Sequence, residues 1–130
     1  LRLIFMITIL DNELTINDCL SIIDIVEKKL IPAKVLGNDV PGYRTAENGW
    51  IYETTPLIQR IKERVSYLTK LPIENQEFPH VVKYDVGGEY KNHHDFFHPN
   101  TEYYEKSILR GGQRVYSSLY YLNEDFIGGE

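Results

Sequence analysis

One histidine and one aspartate, His93 and Asp95, lie two positions apart within residues 84–97, which read Y-D-V-G-G-E-Y-K-N-H-H-D-F-F. In an extended chain, side chains two residues apart point to the same face. An imidazole and a carboxylate would then converge on one point. Such a pair supplies two of the three ligands in the facial site, two histidines and one carboxylate, that holds non-haem Fe(II). The spacing alone also allows a simpler alternative, in which both side chains only form hydrogen bonds with each other or with a loop.

The other histidines do not identify a third ligand. His94 would point away from His93 in an extended chain. His98 is close to Asp95 in sequence, and His80 would have to lie on a neighbouring strand in the right register. The identity of the third ligand therefore stays open at this point.

Three hydroxyl-bearing residues, Tyr84, Ser117 and Tyr121, are candidates for a pocket beside this pair. Ser117 and Tyr121 are four residues apart and share one face of a strand, with Leu119 between them. Hydroxyl groups above an aliphatic floor would suit a dicarboxylate. The alternative is an ordinary aromatic sheet core, because tyrosine is also common on half-buried strands.

Two charged residues near the same segments are further candidates. Arg114 could hold an acidic group or a peptide carbonyl, although a single arginine is more often a solvated surface residue. Its position in the strand is opposite in parity to Ser117, so a shared pocket requires a break in the strand. Glu77 has a similar status, since most exposed glutamates have no specific partner.

Two amphipathic helices are predicted ahead of the site. Thr15 can cap the first helix, with Asp18 completing an imperfect capping box. The second helix begins at Thr55 and Pro56, because proline suits the first helical position. The apolar stripe of the first helix comprises Ile16, Cys19, Leu20, Ile23, Val26 and Leu30. That of the second comprises Leu57, Ile58, Ile61, Val65 and Leu68.

Strands are predicted around these helices from apolar and alternating patterns. Residues 1–10 are apolar, but ten residues are too few to cross a bilayer, which takes roughly 20. We therefore predict a buried strand there. Strands are also expected at residues 80–86 and 114–122, a second strand or an extended segment at residues 90–97, and a polar surface loop at residues 98–110. Helices followed by antiparallel strands indicate the α+β class.

Composition limits the classes of function. The 130 residues suit one domain or part of one, and a hydrophobic share of 42% with 25% charged residues is typical of a folded globular chain. A net charge of -5 argues against a nucleic-acid partner, which usually requires a basic patch. No membrane partner is expected. The single Cys19 excludes an internal disulfide and favours a cytoplasmic setting.

Five segments, in order and with consistent spacing, resemble one enzyme family. They are D-N-E-L-T-I-N-D-C-L-S-I-I at 11–23, Y-R-T at 43–45, the helix and exit ending in L-T-K-L-P-I-E-N-Q-E at 61–77, residues 84–97, and G-G-Q-R-V-Y-S-S-L-Y-Y-L-N followed by G-G-E at 111–130. Together they resemble the catalytic domain of prolyl 4-hydroxylases, which are dioxygenases dependent on iron(II) and 2-oxoglutarate. The resemblance makes the iron-site interpretation of His93 and Asp95 the preferred one.

The resemblance implies roles position by position. His93 and Asp95 match the first two iron ligands. The residues that match the 2-oxoglutarate pocket are Tyr84, Ser117 (where the family usually has threonine) and Tyr121. The residues that match positions around the peptide substrate are Glu77, Tyr90 and Arg114, and Arg44 with Thr45 matches a mobile loop that closes over the peptide. Two departures are Gly88-Glu89 in place of Gly-Gln, and His94 between the ligands.

The implied fold is a double-stranded β-helix, a jelly-roll-like barrel supported by N-terminal helices, of which residues 1–130 would form the N-terminal part and first half. The implied activity is hydroxylation of peptidyl proline at C4, using O2 and 2-oxoglutarate with Fe(II), and with ascorbate as reductant. The family's distal iron histidine and its 2-oxoglutarate lysine lie beyond the G-G-E-T segment. We therefore expect the 130-residue chain alone not to turn over 2-oxoglutarate.

Two alternatives stay open at the level of sequence. One is a non-catalytic module of the same fold that binds peptide or metal. The other is an oxygen-sensing hydroxylase that acts on a regulatory protein. The R-T loop and the L-P-I-E-N helix exit favour the collagen-type branch, whose usual substrates are rich in proline.

Overall fold

The described part of the chain contains three helices and a small antiparallel sheet. A computed structural model describes residues 7–34, 42–101 and 103–128. In chain order the elements are helix α1 (Ile16–Glu27), strands β1 (Ile31–Pro32) and β2 (Glu47–Trp50), helix α2 (Pro56–Thr69), a 3-10 turn (Ile73–Asn75), strand β3 (His80–Lys83) and helix α3 (Tyr104–Gly111). The predicted α+β class is confirmed. Among the described residues, no helix is long and apolar enough to span a membrane.

Helix α1 begins at the predicted cap. The Asp18 amide donates to Thr15 Oγ1 at 3.1 Å, and the Thr15 amide donates to Asp18 Oδ2 at 2.9 Å. This is the reciprocal capping box, which satisfies two main-chain donors that the first turn leaves without helical partners. The hydrogen bonds from Thr15, with a further one from Arg60, hold the pKa of Asp18 below its usual value. The predicted start of the helix is confirmed.

The buried face of α1 differs from the predicted stripe. Ile22 and Val26 are buried, whereas Ile16 and Leu20 are 79% and 58% exposed. Val26 belongs to the predicted stripe and packs against β2, where a Cβ atom at Gly49 would lie 2.5 Å from Val26 Cγ2. The missing side chain at Gly49 lets α1 approach the sheet closely. Ile22 lies outside the predicted stripe and is buried because it packs with Ile51 and Ile58, which are distant in sequence.

Helix α2 also begins as predicted, since the Ile58 amide donates to Thr55 Oγ1 at 3.2 Å. It ends at Lys70, which adopts the left-handed conformation with φ of 60°. Ile22, Ile51 and Ile58 form the centre of the core between the helices and the sheet. Partly buried apolar residues surround this centre: Leu14, Ile25, Leu57, Ile61, Val81 and Leu122.

The sheet has the order β1-β2-β3, with both neighbouring pairs antiparallel. Strand β3 confirms the first part of the strand predicted at residues 80–86. Strands β1 and β2 were not predicted, because the glycine and polar residues around β2 hide the usual alternating pattern. In the β2–β3 register Trp50 lies opposite His80.

Three other stretches for which a strand was predicted form none within the described residues; for residues 90–97 the alternative of an extended segment stays a prediction. Residues 7–10 are exposed and form no strand, and residues 1–6 lie outside the described part of the chain. Residues 90–97 make one isolated bridge, Arg44 to Tyr90, and no strand is formed within residues 114–122. A strand requires a hydrogen-bonded partner, and none of the described segments pairs continuously with either stretch.

The predicted surface loop at residues 98–110 instead contains most of helix α3. Tyr104–Gly111 is helical and ends at Gly112, whose φ is 82°. The double-stranded β-helix stays a prediction, since the three-stranded sheet is compatible with it but does not establish it.

Candidate metal centre

The imidazole of His93 and the carboxylate of Asp95 face each other. His93 Nε2 lies 3.3 Å from Asp95 Oδ1, and His93 Nδ1 lies 2.8 Å from the main-chain oxygen of Lys91. Both side chains are on a loop rather than on the strand that the sequence predicted. The predicted convergence is therefore present, although the structure that produces it is different.

This geometry fits two neighbouring ligands of one metal ion. Two atoms bound at about 2.1 Å and at right angles lie about 3 Å apart, close to the separation observed. If the Lys91 oxygen accepts a hydrogen bond from Nδ1–H, then Nε2 is the nitrogen left free to bind a metal. The residues present therefore fit the part of an iron site that the resemblance assigns to them.

The described residues do not supply a third ligand of the same kind. No group of three histidine, cysteine or acidic side chains within them is placed to hold a metal ion. His80 stacks on Trp50, with ring centroids 4.2 Å apart, and burial lowers its pKa. His98 Nε2 lies 3.2 Å from His94 Nδ1, so this pair forms a separate contact.

A hydrogen bond to the second oxygen, Oδ2, orients the carboxylate of Asp95. Ser117 Oγ donates a hydrogen bond to Asp95 Oδ2. Ser117 is one of the residues that the sequence assigned to a 2-oxoglutarate pocket, and here its hydroxyl contacts Asp95, which the sequence predicted as a metal ligand. The bond leaves Asp95 Oδ1 facing His93.

Arg114 and Glu77, both predicted for the peptide site, are brought together as an ion pair. Arg114 Nη2 donates to Glu77 Oε2 at 2.7 Å, and Arg114 Nε donates to the other carboxylate oxygen. This bidentate pairing raises the pKa of Arg114. Arg114 Nη1 also lies 3.3 Å from the Asp95 main-chain oxygen, and the guanidinium carbon is 4.6 Å from the centroid of the Phe97 ring. The pair therefore supports the main chain at Asp95.

Gln113 is a structural residue that the sequence reasoning did not single out. Its Oε1 accepts from the Phe97 amide at 2.7 Å, and its Nε2 donates to the Phe97 oxygen at 2.9 Å. A single side chain thus satisfies both main-chain groups of Phe97, as a neighbouring strand would do. The G-G-Q-R segment, one of those that resemble the family, contains this glutamine and could have pointed to it.

The ring of Tyr90 packs against His93, and Arg44 packs against Tyr90. The rings of Tyr90 and His93 stack with centroids 3.6 Å apart and an angle of 20° between their planes. The Arg44 guanidinium carbon is 4.6 Å from the Tyr90 centroid. Burial raises the pKa of Tyr90. Arg44 Nε is buried and has no hydrogen-bond partner within the described ranges.

The loop at residues 43–45 is docked on residues 89–91. Thr45 N donates to Glu89 O and Glu89 N donates to Thr45 Oγ1, both at 2.8 Å. A Cβ atom at Gly88 would lie 2.7 Å from the main-chain oxygen of Thr45, so glycine permits this close approach. The mobility expected for the loop stays a prediction, while its contact with the site segment is established.

The other two residues predicted for the 2-oxoglutarate pocket, Tyr84 and Tyr121, are both exposed. Tyr84 is 45% exposed and Tyr121 is 57% exposed. Tyr121 stacks on Phe126, with ring centroids 6.0 Å apart. Their role in binding 2-oxoglutarate stays a prediction.

Comparison with known proteins gives a consistent set of relatives. A protein of Acanthamoeba polyphaga mimivirus that bears the provisional name prolyl 4-hydroxylase is 30% identical over 121 residues, which are 93% of this chain and 50% of the relative. Prolyl 4-hydroxylase 2 of Arabidopsis thaliana is 32% identical over 126 residues, 92% of this chain and 40% of the relative. This chain is a relative of the prolyl 4-hydroxylases. Prolyl 4-hydroxylase 1 of Arabidopsis thaliana is 40% identical over 75 residues, 58% of this chain and 25% of that protein.

The match to these prolyl 4-hydroxylases spans half or less of each relative's own length. No protein-family model matches the chain, and no solved structure matches it significantly. The family resemblance seen in the motifs is confirmed by these relatives.

Proposed function

We propose that the protein carrying this chain hydroxylates peptidyl proline at C4, using O2 and 2-oxoglutarate with Fe(II). The observation that carries the proposal is the convergence of His93 Nε2 and Asp95 Oδ1 at 3.3 Å. Relatives named prolyl 4-hydroxylase over most of the chain support the same reaction.

In this proposal His93 and Asp95 hold the iron. When bound, Fe(II) supplies the oxygen chemistry that protein side chains cannot perform. The Lys91 oxygen keeps His93 in the tautomer with Nε2 available, and Ser117 keeps one Asp95 oxygen turned toward His93. These partners act before any substrate binds, because each ligand already has its orientation fixed by a hydrogen bond.

The residues around the pair suit an extended peptide. The Glu77–Arg114 ion pair borders the metal ligands, and Tyr90 presents a half-buried ring beside His93. Arg44 reaches the same ring from the docked loop. We assign these four residues to the side of the site that faces the proline-containing peptide, and Tyr84, Ser117 and Tyr121 to the side that receives 2-oxoglutarate, with ascorbate as the external reductant.

The experiment is a peptide assay with the full-length gene product. A proline-rich peptide is incubated with Fe(II), 2-oxoglutarate and ascorbate, and mass spectrometry detects the mass of one added oxygen atom on proline. We expect product with the wild-type protein, none without 2-oxoglutarate, and a loss of at least about 100-fold in Asp95→Ala, since a ligand is removed. Asp85→Ala is the matched control, because Asp85 lies in the exposed turn before Gly88.

Other results would reject the proposal in distinguishable ways. Tight peptide binding with no oxygen insertion would identify a non-catalytic peptide-binding module. Hydroxylation of a regulatory protein in place of proline-rich repeats would keep the chemistry and change the substrate. Product formation that survives Asp95→Ala would contradict the assigned metal ligand.

A further inference from the structure

The ring of Tyr90 lies flat against the imidazole of His93. We propose that Tyr90 is a positioning residue for this metal ligand: its ring fixes the plane of the imidazole so that Nε2 keeps facing Asp95. The inference rests on the proposed function, because it treats His93 as a ligand. It gives Tyr90 a role that differs from the peptide contact implied by the family resemblance.

Contact between the two rings is close and nearly parallel. Their centroids are 3.6 Å apart, and the planes differ by 20°. Flat stacking restricts a ring to sliding and rotating within its own plane, because tilting it would bring atoms of the two rings into collision. The imidazole of His93 therefore cannot turn its plane freely while Tyr90 stays in place.

The hydrogen bond at Nδ1 does not supply this constraint alone. It joins His93 Nδ1 to the Lys91 oxygen at 2.8 Å, which fixes one atom of the ring and the tautomer. The ring can still swing about that atom, and the swing would carry Nε2 away from Asp95 Oδ1. One hydrogen bond and one stacked face together define the position of Nε2.

Tyr90 is itself held from several directions. The Arg44 guanidinium carbon lies 4.6 Å from its centroid, and the Tyr43 ring meets it edge-on at 5.9 Å. Arg44 and Tyr90 also form an antiparallel bridge, and Lys91 N donates to the main-chain oxygen of Tyr43 at 3.1 Å. The docked loop at residues 43–45 thus supports the ring that supports the ligand.

The test is a titration of the full-length protein with Mn(II), followed by electron paramagnetic resonance, which reports metal affinity without catalysis. We expect Tyr90→Leu to weaken Mn(II) binding about three- to tenfold, the range of one aromatic pair. Tyr90→Phe keeps the flat ring, so its affinity should stay within about twofold of wild type. Tyr67→Leu is the matched control, since Tyr67 is an exposed tyrosine on α2.

A merely structural role for Tyr90 would change thermal stability and leave the affinity of the folded protein unaltered. Circular dichroism identifies this case. If Tyr90→Leu does not fold, Arg44→Met removes the cation above Tyr90 and should weaken Mn(II) binding in the same direction by a smaller factor.

Different failures separate the two claims. A wild-type protein that binds no Mn(II) overturns the proposed function and this inference with it. Normal Mn(II) binding by folded Tyr90→Leu overturns the positioning role alone, and a selective loss of peptide binding in that variant would leave Tyr90 with its substrate role only.

Discussion

Two regions of the molecule are held together in different ways. The helix–sheet region (residues 14–34 and 47–83) has paired strands, capped helices and the isoleucine centre of Ile22, Ile51 and Ile58. The site segment (residues 84–121) contains helix α3 and otherwise no helix or strand in its described part. Its order around His93 and Asp95 comes from individual side chains, such as Gln113 bonded to Phe97 and Ser117 bonded to Asp95.

This difference separates the contacts that stabilise the whole fold from those that orient the side chains of the site. In the helix–sheet region a lost contact is felt by the whole fold, because core packing is shared among many neighbours. In the site segment each polar contact holds one ligand or one stretch of main chain. Changes there should alter metal binding more than global unfolding.

The largest expected effect tests the core. Ile22→Ala removes buried atoms between α1 and β2 and should lower the free energy of unfolding by about 2–5 kcal/mol. Leu20→Ala on the same helix should cost less than about 1 kcal/mol, because Leu20 is 58% exposed. Urea denaturation followed by circular dichroism measures both. A larger cost for Leu20→Ala than for Ile22→Ala would mean that α1 buries the face predicted from the sequence.

The next effect tests the site segment. Ser117→Ala removes the donor to Asp95 Oδ2, and metal affinity should fall about tenfold, the lower end for lost partners of metal ligands. Ser117→Thr retains the hydroxyl and should stay near wild type. Isothermal titration with Mn(II) measures affinity, while urea denaturation of the same variants should change little. A large loss of stability with unchanged affinity would remove the distinction between the two regions.

The smallest effect concerns the cap of α1. Hydrogen bonds from Thr15 hold the pKa of Asp18 below its usual 3.8. The carboxylate therefore stabilises the folded state fully above pH 3.8, and this stabilisation is lost as the pH falls below 3.8 through the folded-state pKa. Asp18→Asn should show a weaker loss of stability over that acid range.

Thermal melting between neutral and acid pH measures the effect, with Asp24→Asn as a control on the same helix. An unchanged acid profile in Asp18→Asn would show that the capping box contributes no pH dependence. Metal affinity at neutral pH should be the same in all three proteins, because the cap lies in the other region.

Sequence reasoning was accurate where the signals are local. Thr15 with Asp18, and Thr55 with Pro56, predicted both helix starts, since a cap is decided by residues within one turn. It failed where partners are distant. The burial of Ile22 depends on Ile51 and Ile58, and the isolated bridge at Tyr90 depends on Arg44. Neither relation is visible in the local pattern.

The candidate site shows the same limit. The pairing of His93 with Asp95 was predicted from an extended strand, and the side chains meet although they lie on a loop. The contact of Ser117 with Asp95 and the pairing of Arg114 with Glu77 join residues 22 and 37 positions apart. The family resemblance indicated that these residues belong to one site, but not which atoms they contact.

The most direct test compares metal binding after removal of either of two neighbouring histidines, His93 and His94. Full-length protein is titrated anaerobically with Co(II), whose visible absorption reports ligand binding, in wild type, His93→Ala, Asp95→Ala and His94→Ala. His94 Nδ1 contacts His98 Nε2, so the His94 variant should bind as wild type does. We predict that His93→Ala and Asp95→Ala each weaken binding by at least about 100-fold, because each removes a ligand. Retained binding in His93→Ala together with lost binding in His94→Ala would contradict the assignment.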